Sequence, residues 1–176
     1  PLVFVAAADI GMTGTEAPSA IERDAPLMAR FEALRQHAAV AMGMAPDLAA
    51  AASVRSIPKV AALSAPVAQA PLSGRVMPET EVDIVTRMIS VGQPHRATPL
   101  TGALCLAVAC IVPGTVAHAL VRPDKTGDAV RIGHPSGSIM VAAALDNQGG
   151  DLRVPYATVF RTARRLFQGE VLYALP

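Results

Sequence analysis

The stretch Thr98-Pro99-Leu100-Thr101-Gly102-Ala103-Leu104-Cys105-Leu106-Ala107-Val108-Ala109-Cys110-Ile111-Val112 decides how the chain is read. Thr98 offers a hydroxyl N-cap, and Pro99 suits a first helical position, where its missing N–H leaves nothing unpaired. From Ala103 to Val112 the residues are apolar on every side, and Pro113-Gly114 ends the run. A helix without a polar face needs protein all round it. The pattern therefore predicts a buried central helix over about 98–112, with Cys105 in the core. The apolar run is about half the ~20 residues that cross a bilayer, so no membrane partner is expected.

Working outward, the segments after this helix read as strands: Ala129 to Ile132, Ser138 to Leu145, Leu152 to Thr162 and Glu170 to Leu175, with a hairpin turn over Asn147 to Gly150. Before it, Leu2 to Val5 and Pro58 to Ala65 also read as strands, with Lys59 as a solvated strand end. Asp9 to Pro18 reads as a loop; its Gly-Met-Thr-Gly lacks both common phosphate-loop patterns. From Asp24 to about Met42, apolar Leu27, Met28, Phe31, Leu34, Ala38 and Met42 recur at helical steps between Arg30, Glu32 and Arg35, with Asp24 as N-cap. Ala45 to Ser56 is a connection and Pro66 to Pro78 a loop. Glu79 to Ser90 fits both periods, and its acidic start favours a helix. Strands about a buried helix make an α+β domain: a curved, mostly antiparallel sheet wrapped around residues 98–112.

The 176 residues suffice for one domain, 1–176, with a sizeable core. At 52% hydrophobic and 16% charged the chain is no disordered segment, and with 3% aromatics its core must be aliphatic. A net charge of +1 without a basic block argues against nucleic acid as a partner. The two cysteines lie inside the apolar run, the pattern of a reduced, cytoplasmic protein. Five residues apart on a helix, they stand about 140° apart and would not pair. No metal site follows from their spacing. Pro1 to Ala8 has no basic flank and is no secretory signal, and a chain opening on Pro1 and running straight into a strand reads as part of something longer.

The N-terminus of such a helix carries unpaired N–H groups and a partial positive charge, so it favours anions. Just before it lies Gly92-Gln93-Pro94-His95-Arg96-Ala97, and between two strands lies Gly133-His134-Pro135-Ser136-Gly137, whose Gly and Ser content suits a backbone nest. If the loops converge, His95, Arg96, Thr98, Thr101, Gly102, His134, Ser136 and Gly137 form a pocket without a carboxylate, suited to a polycarboxylate or phosphate. The same residues have ordinary readings as helix cap, solvated turn and β-turn. His37 and His118 read as structural or solvent-facing. No Ser-His-Asp arrangement is present, since neither loop supplies an acid.

The strings Ser90-Val91-Gly92-Gln93-Pro94-His95-Arg96-Ala97, Thr101 to Ala109, Pro113-Gly114-Thr115, Gly133 to Gly137 and Arg161-Thr162-Ala163-Arg164, in this order, resemble the C-terminal half of the 2-methylaconitate isomerase (PrpF) and methylitaconate isomerase family. Pro1 to Val5, Asp9-Ile10-Gly11 and Thr13 to Glu16 resemble the start of its second lobe. The resemblance implies a diaminopimelate epimerase-like fold, in which two lobes, each a sheet closed around a helix, share an active site at the helix N-termini. The epimerase's cysteine ahead of Thr-Gly-Ala is replaced here by Thr98-Pro99-Leu100, which speaks against a two-cysteine racemase. The resemblance further implies a substrate-binding lobe of an isomerase that shifts a double bond in an unsaturated di- or tricarboxylate, without cofactor or metal. Its acid/base residues, a cysteine and a lysine, would lie in the absent first lobe, so no catalytic residue is expected in this chain, which alone should be inactive. A homodimer is a further expectation. A 4-oxalomesaconate tautomerase lobe and a non-catalytic binding or scaffold domain are the alternative readings.

Overall fold

Every residue from Val82 to Ile89 is buried. A strand achieves that only where both faces of its sheet are covered, and the resulting unbroken apolar run imitates a helix. The helix expected over Glu79 to Ser90 is therefore a short 3-10 turn, Glu79–Glu81, followed by a strand, Ile84–Ser90. The computed structural model describes residues 1–72, 74–123, 127–148, 151–160 and 165–170. The Arg161 to Arg164 motif, Gly149 and Gly150 of the expected turn and nearly all of the expected last strand lie outside them.

In chain order the elements are β1 (Leu2–Ala6), α1 (Pro18–Arg23), α2 (Ala25–Ala41), α3 (Leu48–Ser53), β2 (Lys59–Ser64), β3 (Ile84–Ser90) and β4 (Gln93–Pro94). Then follow α4 (Leu100–Ile111), α5 (Val116–Leu120), β5 (Ala129–His134), β6 (Gly137–Ala143), β7 (Asp146–Gln148), β8 (Asp151–Arg153) and β9 (Ala157–Phe160). One open sheet runs β1-β2-β3-β5-β6-β9, with β4 also paired to β3, and β7 and β8 form a separate hairpin. The pairs β1·β2 and β3·β5 are parallel and the other pairings are antiparallel. The α+β class and mostly antiparallel sheet match the sequence reading.

Alternation along β2 sorts the core. Val60 and Ala62 face one way, against Leu27 and Phe31 of α2 and Ile21 of α1. Ala61 and Leu63 face the other way, where Ile84, Met88, Val130, Ile132 and Val141 meet Ala103, Leu106, Ala107 and Cys110 of α4. Asp24 caps α2 through Leu27 N–H at 2.9 Å, as the sequence indicates. Arg35 is not on the solvent face: it is buried and donates to the carbonyls of Ala51, Val54 and Ile57, so it ties down the connection that follows α2. Part of that connection is α3, capped by Asp47.

The α4 helix departs from the expectation in two ways. It begins at Leu100 with Pro99, not Thr98, at the cap position, because Pro99 keeps an extended ψ of 141° while its carbonyl accepts the first helical bond from Ala103 N–H at 2.9 Å. Only one face is buried against the sheet, whereas Leu100, Thr101 and Cys105 are exposed. The buried central helix of 98–112 is thus a helix of 100–111 laid across one side of the sheet. Uniform apolarity marks it as a surface to be covered, and the described residues cover half of it. No helix among the described residues is long and apolar enough to cross a membrane.

The parallel β3·β5 register rests on Ile84↔Ile132 and Val85↔Gly133. Asp83, 2% exposed, secures it by accepting from Arg131 N–H at 2.7 Å and from Arg131 Nη2 at 2.7 Å, while Asp83 N–H donates to Arg131 O at 2.8 Å. Burial works against its charge, yet the hydrogen bonds and charge of Arg131, with Arg122, hold its carboxyl below the usual range. Asp83→Asn should lower the unfolding free energy by about 3 kcal/mol at pH 7 in urea titrations. Because the folded pKa is depressed, the gap between wild type and variant should close as pH falls below about 4. A gap unchanged down to pH 2 would contradict this assignment.

Candidate functional site

Strand β3 leaves the sheet through Val91-Gly92, whose φ values of 53° and 70° make a tight left-handed turn that returns the chain alongside β3. A β-branched residue rarely adopts that conformation, so the turn is held by its surroundings. The return pairing continues to His95, whose N–H donates to Met88 O at 2.8 Å. Met88 is also where α4 begins to rest: a Cβ on Gly102 would lie 2.6 Å from Met88 Cε and 2.9 Å from its Sδ. His95 and the first turn of α4 therefore share one small region of the sheet.

The second loop arrives by the β5–β6 hairpin. His134 and Gly137 pair, leaving Pro135-Ser136 as the two-residue connection. Ser136 Oγ donates to Arg96 O at 2.6 Å, so the two loops are joined directly. The expected convergence is observed. The turn is not an open nest, however, because Ser136 N–H donates to His134 Nδ1 at 3.2 Å and Pro135 O accepts from Leu72 N–H at 2.7 Å. Gly133 has no room for a side chain: a Cβ there would clash with the Gln69 amide and lie 3.0 Å from Val82 Cγ1.

The individual residues divide by exposure. Arg96 and Thr101 are exposed, Gly137 and His95 are half-buried, and Thr98, Gly102 and His134 are buried. Burial, with the Arg87 guanidinium second, pushes the His134 pKa down to about 4. Burial, with the Lys59 ammonium second, also lowers that of His95, whose Nε2 is buried without a hydrogen-bond partner. Both imidazoles are neutral at pH 7. Arg96 and Lys59, the latter at the start of β2, are cations near the start of α4. Arg87, 3% exposed, is a residue that periodicity misses; it donates to Glu16 O at 2.7 Å and to Gln69 Oε1 at 3.3 Å. Its only sequence signal is an arginine within an apolar strand.

This geometry can be set beside known proteins. Residues 1–174 match the PrpF protein family model. The chain belongs to the PrpF family. It is 36% identical over its whole length to a 2-methyl-aconitate isomerase of Shewanella oneidensis, covering 44% of that protein. Over 97% of its length it is 34% identical to a 3-methylitaconate isomerase of Eubacterium barkeri, again covering 44%. A crystal structure of methylitaconate-delta-isomerase superposes with a TM-score of 0.80 at 30% identity, over 92% of this chain and 43% of that one. The chain thus spans less than half the length of the relatives it matches, as a half-family reading requires. The diaminopimelate epimerase cysteine remains replaced at Thr98 to Leu100, and Cys105 is a surface thiol, not core.

A neutral His134 is part of how the PrpF-family turn is built, since Nδ1 must accept from Ser136 N–H. Its depressed pKa means the unfolded chain binds the proton more readily, so stability is full above about pH 6.5 and falls as pH drops toward 4. His134→Asn keeps an acceptor but cannot titrate. It should flatten the loss of stability between pH 6.5 and 4.5 by roughly 2–3 kcal/mol in chemical denaturation curves. Identical slopes in the two proteins would show that His134 is not held neutral.

Proposed function

We propose that the chain is the substrate-binding lobe of an isomerase that shifts a double bond in an unsaturated di- or tricarboxylate by cofactor-free allylic proton transfer. The observation that carries this reading is the Ser136–Arg96 bond, which brings an exposed arginine, a neutral histidine and the start of a long helix into one region. Donors fixed in place before the ligand arrives favour the charge of a dienolate over that of the resting acid. Arg96 supplies charge; His95, Thr98, Thr101 and Gly102 supply polar groups and close approach; His134, Ser136 and Gly137 hold the turn that positions Arg96. The names of the relatives, a 2-methyl-aconitate, a 3-methylitaconate and a (4E)-oxalomesaconate isomerase, agree in acting on unsaturated acids.

Residues 1–176 act as one domain in this proposal, equivalent to a second lobe, and proton transfer falls to residues of a first lobe. The exposed face of α4 supports a companion that closes over it, with Leu100 39% exposed. A homodimer is the other way to cover that face. A cytoplasmic location fits a reduced surface thiol at Cys105.

Tricarballylate, a saturated tricarboxylate, tests the site without turnover. Arg96→Ala should weaken its binding by about 1.5–3 kcal/mol, roughly 10- to 150-fold, in isothermal titration calorimetry. A change of less than threefold would mark Arg96 as an ordinary solvated turn residue.

A further inference from the structure

On the side of the sheet away from α4, Met28, Phe31, Val60 and Ile89 supply the apolar lining of a cavity of about 340 Å³ between α2 and the end of β3. That size falls in the range of small-molecule pockets, roughly 300–1,000 Å³. The left-handed Val91-Gly92 turn forms part of its wall. Of the two arginines that line it, one is fully occupied. All five N–H groups of Arg35 are taken, by Glu32 and by the carbonyls of Ala51, Val54 and Ile57, and both Glu32 oxygens accept from Arg35. Arg55 is the opposite case: it makes no ion pair or hydrogen bond among the described residues.

Gly92 locates the Arg55 guanidinium. A Cβ at Gly92 would lie 3.0 Å from Arg55 Nη2 and 4.0 Å from its Cζ, so the guanidinium lies over the turn that walls the cavity. The hydrogen bond from Arg35 holds the Glu32 carboxyl below the usual range, and the charge of Arg55 adds to that, which sets the guanidinium within reach of a second lining residue. An unpaired fork of N–H donors beside an apolar lining complements an anionic head group on an apolar body. A second anionic group finds no such partner, because the other charged lining residues are Glu22 and the Glu32–Arg35 pair. We infer that this cavity binds a monoanionic amphiphile, an aliphatic monocarboxylic acid of medium chain length, with its carboxylate on Arg55 and its chain on Met28, Phe31, Val60 and Ile89. The inference does not rest on the proposed reading of the α4 region. The two places lie on opposite sides of the sheet and are joined by the Val91-Gly92 turn, from which the chain continues to His95 and Arg96.

The test is an amide NMR titration with octanoate, with 1-octanol as the neutral and suberate as the dianionic probe of equal length. Wild type, Arg55→Gln, Arg55→Lys and Arg96→Ala are compared, and thermal melts confirm that each is folded. Octanoate should move the amides of residues 28–32, 60 and 89–93 saturably. Arg55→Gln should weaken octanoate roughly tenfold and leave octanol within about twofold, Arg55→Lys should keep most of the affinity, and Arg96→Ala should leave it unchanged. Suberate should bind wild type more weakly than octanoate, and Glu22→Gln should narrow that difference. Equal octanoate affinity in wild type and Arg55→Gln would overturn the site. So would shifts centred on residues 95–98 that disappear in Arg96→Ala, shifts centred on residues 100–112, or no saturable shift at millimolar octanoate. Each of these results leaves tricarballylate binding at Arg96 to be judged by its own titration.

Discussion

The covering of β3 on both faces is the constraint from which the rest follows. Ile84 and Met88 are sealed by the α4 layer, and Ile89 by the layer that contains α1 and α2. Because β3 is buried and central, its end is a fixed point, and everything that matters chemically is measured from it. The Val91-Gly92 turn sends His95 back onto Met88, α4 starts on the same methionine through Gly102, and the parallel register with β5 delivers His134 and its turn alongside. Asp83 at the other end of β3 holds that register with a carboxylate kept ionised by Arg131.

Charge is distributed differently at the site than residue types alone would indicate. Four basic residues, His95, Arg96, His134 and Lys59, gather near the start of α4, but burial neutralises both histidines. His134 becomes an acceptor that shapes a turn, and His95 a neutral polar group. What remains charged there is Arg96, an exposed residue, and Lys59, a half-buried one.

Much of this could be read in the sequence because the relevant signals are local. The Asp24 cap, the β2 strand and the hairpin of Gly133 to Gly137 each follow from a few adjacent residues. The convergence of the two loops stood in the sequence only as a condition, since no local rule brings Ser136 to Arg96 across forty residues. What was misread depends on the other side of the fold. Glu79 to Ser90 resembles a helix because both of its faces are covered, and α4 resembles an encircled helix although one face stays open. Arg35 and Arg87 are buried through carbonyl partners far along the chain, which no periodicity reports.

The central claim is that a polycarboxylate binds where the β3–β4 loop, the β5–β6 turn and the first turn of α4 meet. The most direct measurement is a two-dimensional amide NMR titration of the folded protein with tricarballylate. The account predicts saturable shifts concentrated at the amides of residues 95–98, 101–102, 134, 136 and 137, with the amides of α2 and α3 unmoved. Shifts centred on α1 and α2, or none at millimolar ligand, would contradict it.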